Sequence, residues 1–182
     1  MTRACCLFAA VTIAIMMPAA HADDTALREA AAALQKGDYT LAESKLRAEL
    51  AAHPADAEAL SLLGMVFDAR KQFTEADAQY RQAMAAAPRS APVLGRYANH
   101  LLAAGDENGA HDAFIRVLAL QPDDAYASLA LARLALKNKD AAHAREALGY
   151  LDRLPAGWRG VGNSPRPSSY LPVRSPSLVS VK

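Results

Sequence analysis

The chain has 182 residues, with 20 lysines and arginines, 19 aspartates and glutamates, and two cysteines. All the acidic residues lie between Asp23 and Asp152, and residues 23–154 hold only 15 of the basic ones, so the main part of the chain is mildly acidic. A nucleic-acid-binding protein would carry a basic stripe on its folded part, and this charge distribution therefore excludes that class of function.

The first 22 residues have the layout of a secretory signal peptide. Arg3 supplies the positive charge, an apolar run of 14 residues covers positions 4–17, and Ala20-His21-Ala22 forms a small-x-small cleavage site. The run is shorter than the roughly 20 residues that span a membrane, which favours a cleavable signal over an anchor. We expect cleavage after Ala22, a mature chain without a transmembrane span, and a periplasmic or secreted protein.

Both cysteines, Cys5 and Cys6, lie inside this predicted signal segment. A mature chain that begins at Asp23 would have no disulfide, no thiolate nucleophile and no metal site built on cysteine.

From residue 23 onward, several residue types recur every 34 positions. Prolines hold this spacing at Pro54, Pro88 and Pro122, and each is preceded, 12 positions earlier, by an alanine. A second set of small residues and a set of large apolar residues keep the same spacing. These two sets are Ala30, Gly64, Ala98 and Ala132, and Leu46, Tyr80, Phe114 and Leu148. A fixed period of this length indicates a repeat architecture.

The repeat windows are residues 23–56, 57–90, 91–124 and 125–156, and each holds two apolar patterns of helical period separated by a turn. In the second window the patterns predict helices over 57–69 and 73–86. Small residues at Gly64 and Ala76 would let these two helices approach closely, and Pro88 would end the second one. Because one helical hairpin cannot bury its apolar face alone, we expect the units to stack into a solenoid.

These motifs resemble those of the tetratricopeptide repeat family. The second window is the most similar, with Leu60, Leu63-Gly64, Phe67, Phe73, Ala76, Tyr80, Ala83 and Pro88. The resemblance implies an all-α fold, an α-solenoid of about four helix-turn-helix repeats that winds as a right-handed superhelix. The repeat array would occupy residues 23–154.

The composition changes at residue 155. Between 155 and 182 five prolines stand among serines, glycines and four basic residues, without a single acidic residue. Such a segment cannot form a packed core, and we predict a disordered tail. The apolar face around Leu148 and Leu151 then lacks an obvious cover. Either Trp158 and Tyr170 fold back over it, a partner covers it, or the natural chain continues.

The sequence contains no motif for catalysis, cofactor binding or metal binding. The histidines after the signal are His53, His100, His111 and His143, and no two stand three to five residues apart, as a helical metal pair requires. No nucleophile elbow, phosphate loop or calcium loop is present. We therefore predict a protein that is not an enzyme and uses no cofactor.

The resemblance also implies a binding surface, because in this family the first helix of each repeat lines a concave groove that receives an extended peptide or a partner helix. Carrying the groove positions over by register predicts a mixed apolar and polar surface, which includes Leu102 on the third repeat and Leu129 on the fourth and suits peptide recognition. The predicted partner-binding residues are Leu62, Met65, Arg96, Asn99, Tyr126 and Arg133. Arg96, Asn99 and Arg133 together could hold a carboxylate or a peptide backbone.

Two functions fit this reading. The first is a non-catalytic interaction module or scaffold, which binds a protein or peptide during the assembly of an envelope complex. The alternative is that the chain is the repeat portion of a longer, truncated or frameshifted protein whose other domain, for example an enzyme, is missing.

The signal-peptide hypothesis makes a direct prediction. When the protein is produced in an exporting bacterial host, N-terminal sequencing of the processed form should begin at Asp23. Recovery from the cytoplasm of a chain that still begins at Met1 would contradict export.

Overall fold

The computed structural model describes residues 22–137 and 141–152. This part of the chain contains eight α-helices and no β-strand. The helices are α1 (Ala22–Lys36), α2 (Tyr39–Ala52), α3 (Ala57–Ala69), α4 (Phe73–Ala86), α5 (Ala91–Ala104), α6 (Glu107–Leu120), α7 (Ala125–Lys137) and α8 (Ala141–Asp152). The predicted all-α fold is confirmed, and α3 and α4 have the bounds that the apolar pattern of the second window predicts.

The helices pack as four hairpins that stack in chain order. The most extensive contacts are within the pairs α1–α2, α3–α4, α5–α6 and α7–α8. Each second helix then packs against the first helix of the next pair, as α2 does with α3 and α4 with α5. In addition, α3 contacts both α1 and α5, so the first helices of these pairs lie side by side. This is the arrangement of a helical solenoid.

Helix starts and turns repeat along with the sequence. The side chains of Asp38, Asp56 and Asp106 each accept a hydrogen bond from a backbone N–H in the first turn of the following helix, which satisfies donors that the helix leaves free. In the turns within the first three pairs, one residue has a positive φ, and these residues are 34 positions apart: Gly37 at 79°, Lys71 at 61° and Gly105 at 90°. Glycine adopts this conformation without strain, and the second repeat places a lysine there.

The two helices of each of the first three pairs approach closely through small side chains. Ala42, Ala76 and Ala110 have no exposed surface. The approach is tightest at Gly64, where the ring of Tyr80 lies so near that an added Cβ atom would come within 2.9 Å of it. Tyr80 itself is only 1% exposed. The small residue and the large ring therefore fill the space between α3 and α4 together.

The buried apolar residues form two main clusters. One belongs to the first two hairpins and includes Leu46, Val66 and Tyr80. The other belongs to the last two and includes Leu94 and Phe114. Between them lies a small cluster of Leu60, Ala83 and Val93. The junction between the second and third repeats combines this small cluster with contacts of the Tyr80 ring to Tyr97 and His100, and polar contacts join its helices α3 and α5.

The last hairpin keeps apolar surface exposed. On α8, Leu148 is 60% exposed, while Leu151 packs against Ala132 and Ala135. The predicted tail lies outside the described residues, and so does the predicted signal segment apart from Ala22, which begins α1. Within the described ranges, no helix is both long enough and apolar enough to cross a membrane.

The contact between Gly64 and Tyr80 predicts a sharp difference between two glycine substitutions. Gly64→Ala should lower the free energy of unfolding by about 1–3 kcal/mol, because the new methyl group overlaps a fully buried ring. Gly149→Ala is the control, since α8 leaves open space around that position, and alanine there should stabilise the helix by up to about 1 kcal/mol. Urea denaturation followed by circular dichroism measures both, and equal midpoints would contradict the close approach.

Candidate functional site: the groove face and its cleft

We call the surface formed by the first helices of the four pairs, α1, α3, α5 and α7, the groove face. The structure divides the predicted partner-binding residues on these helices into two groups. Leu62, Met65 and Arg96 are buried, whereas Asn99 and Tyr126 are partly exposed and Arg133 is exposed. The accessible group lies on α5 and α7, towards the C-terminal half of the solenoid.

The guanidinium group of Arg96 is held inside the protein. Its Nη1 and Nη2 atoms donate hydrogen bonds of 2.9 and 2.6 Å to the two carboxylate oxygens of Glu58. Nη1 also donates to the hydroxyl of Ser61 at 2.6 Å, and that hydroxyl donates to the carbonyl oxygen of Glu58. This bidentate pair joins α5 to α3. The carboxylate that Arg96 holds is therefore one from the same chain.

A second polar contact joins the same two helices, one turn farther along α5 and ten residues farther along α3. His100 is 3% exposed, and its Nδ1 atom lies 2.6 Å from Asp68 Oδ1. The hydroxyl of Tyr80 donates to the other oxygen of Asp68 at 3.0 Å. Burial, followed by the nearby Asp68 charge, raises the pKa of the Tyr80 phenol well above its usual value, so it stays a protonated donor. We call the Arg96–Glu58 and His100–Asp68 contacts the two struts.

The next junction, between α5 and α7, has a hydrogen bond between Tyr126 and Asn99 but no counterpart of either strut, and the 34-residue register explains why. The positions equivalent to Glu58 and Arg96 are Pro92 and Ala130. Those equivalent to Asp68 and His100 are Leu102 and Leu134. Short or apolar side chains thus stand where the previous junction has two polar bridges. Accordingly, α5 and α7 pack against each other less extensively than α3 and α5 do.

A cleft of about 250 Å³ opens at this junction. Its apolar lining comes from Leu102, Leu129, Ala130 and Leu134, so three of the four residues that replace the struts border it. The remaining lining residues are polar or amphipathic: Glu107, Tyr126, Arg133 and Lys137.

Tyr126 is fixed at this cleft by two contacts. Its hydroxyl donates a 2.6 Å hydrogen bond to Asn99 Oδ1, and the amide nitrogen of Asn99 donates to the carbonyl oxygen of Gly95. The ring also meets Phe114 edge-on, with centroids 6.2 Å apart. The wall of the cleft is therefore pre-organised, and Asn99 serves as the support of Tyr126.

The charged residues of the cleft are not equivalent. Lys137 forms an ion pair with Glu107. Glu107 supplies the carboxylate among the described residues that line the cleft. Arg133 is exposed. After the Lys137–Glu107 pair is taken into account, the cleft presents an apolar floor with one net positive charge beside it.

In the part of the chain that the structure describes, no three histidine, cysteine, aspartate or glutamate side chains are grouped as a metal ion would need. His53 lies 2.7 Å from Glu49, and His100 belongs to a strut. Both rings therefore have partners within the fold.

Sequence reasoning missed part of the cleft. Leu129 and Leu102 follow from the groove register, but Ala130, Leu134 and the Lys137–Glu107 pair do not. The sequence contained this information, because aligning the third window with the fourth places Ala130 at the position of Arg96. It became interpretable only when the structure showed that Arg96 bridges two helices.

Comparison with known proteins agrees with this architecture. The family model described as "Tetratricopeptide repeat" matches residues 27–91 and 97–157. Among characterised proteins, the type IV pilus assembly protein PilF of Pseudomonas aeruginosa is 32% identical over 93 residues. That match covers 51% of this chain and 36% of PilF, so the matched segment spans about a third of the relative.

Solved structures show the same fold. A P. aeruginosa PilF structure has a TM-score of 0.67 at 27% identity, covering 74% of this chain and 62% of that one. An O-GlcNAc transferase mutant from Thermobaculum terrenum has a TM-score of 0.61 at 26% identity, covering 66% and 23%. The first TPR of Spaghetti (RPAP3), bound to an HSP90 peptide, has a TM-score of 0.60 at 17% identity, covering 65% and 96%.

The different settings of Arg96 and Arg133 predict different costs of removing them. Arg96→Ala should lower the free energy of unfolding by about 1.5–3 kcal/mol, because it removes a bidentate, charge-assisted bridge between repeats. Arg133→Ala, the matched control on the next repeat, should change it by less than about 0.5 kcal/mol, as exposed positions usually do. Urea titrations give both values. A similar loss of unfolding free energy in the two variants would mean that the Arg96–Glu58 contact does not stabilise the junction.

Proposed function

This chain belongs to the tetratricopeptide repeat family, and from that premise we propose that it is a non-catalytic scaffold in the assembly of an envelope complex. Repeats of this family are typically interaction modules rather than enzymes. In this proposal a peptide or a partner helix binds on the groove face. Asn99, Tyr126 and Arg133 contribute directly to binding, and Leu62, Met65 and Arg96 shape the surface from beneath.

The observation that carries the proposal is the open cleft between α5 and α7. Here the junction between repeats two and three has two polar struts, whereas the following junction has one hydrogen bond, from Tyr126 to Asn99, at the wall of an apolar recess. Concave apolar surface with a few directed polar groups is typical of binding sites.

The envelope part of the proposal is supported by two separate observations. The PilF relative is a type IV pilus assembly protein, and the first 22 residues have the layout of a signal peptide. Because the matched segment spans only 36% of PilF, we propose a role in assembly as a class of function and not the role of PilF itself.

The alternative, that these repeats serve a longer protein with a catalytic domain, is favoured by one observation. The structurally similar O-GlcNAc transferase is an enzyme, and the match covers only 23% of its chain. An immunoblot of native cells separates the two proposals. A native protein much heavier than this chain would support the alternative.

Two leucine substitutions test the binding face. Leu129 lines the cleft, whereas Leu148 lies on α8, the second helix of its pair, and is 60% exposed. We expect Leu129→Gln to abolish the capture of partners from envelope extract, since it places a polar group on the apolar floor. Leu148→Gln should leave capture unchanged.

Circular dichroism of both variants checks that the fold is intact, and quantitative mass spectrometry of the captured proteins is the readout. Loss of capture with Leu148→Gln alone would move the binding face to the end of the solenoid. Retention in both variants would contradict a groove-face scaffold.

A further inference from the structure

We infer that the cleft between α5 and α7 binds one bulky apolar side chain of a partner peptide segment in which the neighbouring residue is acidic. This inference rests on the proposed function and specifies the chemistry of the partner. It follows from the size of the cleft, the character of its floor and the balance of charge beside it.

The volume sets the size of the occupant. Pockets that hold drug-sized molecules and cofactors measure roughly 300–1,000 Å³, and this cleft measures about 250 Å³. It suits one large side chain, such as leucine, methionine or phenylalanine, better than a cofactor. The floor of Leu102, Leu129, Ala130 and Leu134 offers no hydrogen-bonding side chain, so a polar side chain would lose its hydration without compensation.

The shape of the cleft is set before binding. Tyr126 is held by its hydrogen bond to Asn99 and by its contact with Phe114. A bound side chain would therefore pack against the Tyr126 ring, whose orientation is already fixed. Pre-organisation of this kind lowers the entropic cost of association.

The charge beside the cleft determines which residue of the partner can lie next to the bound apolar side chain. Glu107 is already paired with Lys137, and the exposed Arg133 lies beside the apolar floor. A carboxylate next to the bound apolar side chain would reach the guanidinium group of Arg133. Guanidinium groups bind carboxylates in a bidentate manner. A flanking lysine would meet a like charge. The chemistry at this cleft is thus an apolar side chain next to a carboxylate.

Three capped pentapeptides can serve as probes. The acidic leucine probe is Gly-Leu-Glu-Glu-Gly, and the basic probe is Gly-Leu-Lys-Lys-Gly. The alanine probe is Gly-Ala-Glu-Glu-Gly. The readout is titration of the protein, labelled at leucine methyl groups, by NMR. The acidic leucine probe should shift the resonances of Leu102, Leu129 and Leu134. It should bind about two- to fivefold more tightly than the basic probe, the range for an exposed ion pair, and about tenfold or more tightly than the alanine probe.

Variants of the protein test each feature separately. Ala130→Leu should weaken the acidic leucine probe about tenfold by occupying the floor, while Ala78→Leu, on the exposed surface of α4, should not change it. Arg133→Glu should reverse the preference between the acidic and basic probes. Thermal melts of all three variants verify that they fold.

The outcomes distinguish this inference from the proposed function. Equal binding to wild type and a folded Ala130→Leu variant, shifts confined to other leucines, or no shift with any probe would overturn the inference. So would shifts of the cleft methyls with protein concentration alone, which would indicate a second copy of the chain as the occupant. In each case the capture experiment with Leu129→Gln still tests the groove-face scaffold on its own.

Discussion

The close approach of the two helices within each pair is the constraint on which the rest of the structure depends. It requires a small residue wherever the two backbones meet, and Ala42, Ala76 and Ala110 are fully buried at these places. Gly64 is the extreme case, because even a methyl group would collide with Tyr80. Once the pairs have this spacing, the large side chains can fill the remaining space, and the pairs stack with a constant register.

That constant register also explains how the junction between α3 and α5 can have two polar struts while the junction between α5 and α7 has a cleft. Equivalent positions in successive repeats face equivalent neighbours, so a change of residue type changes one junction without disturbing the others. Arg96 and His100 reach across to carboxylates on α3. Their counterparts Ala130 and Leu134 do not span the space between α5 and α7, and they border the cleft instead. The cleft is therefore a local change in a repeated architecture.

Arginine side chains have different roles in the two halves of the groove face. The guanidinium group of Arg96 is satisfied by Glu58 and Ser61, and removing it would leave partners without their hydrogen bonds. Arg133 remains at the surface, where a charge costs little and is accessible to a partner. Two arginines on first helices of adjacent repeats thus do different work: one joins repeats, and the other is accessible to a ligand.

The amino-acid sequence alone determined the helices, their pairing and the family, because periodicity, turn residues and small residues act locally and repeat every 34 positions. Helices α3 and α4 even began and ended where the pattern predicted. Only the tertiary structure decided which groove residues are accessible. Glu58 and Arg96 lie 38 positions apart, and no local rule shows that an arginine on a helix will meet a carboxylate on another. The cleft likewise depends on the distance between α5 and α7, which arises from packing across repeats.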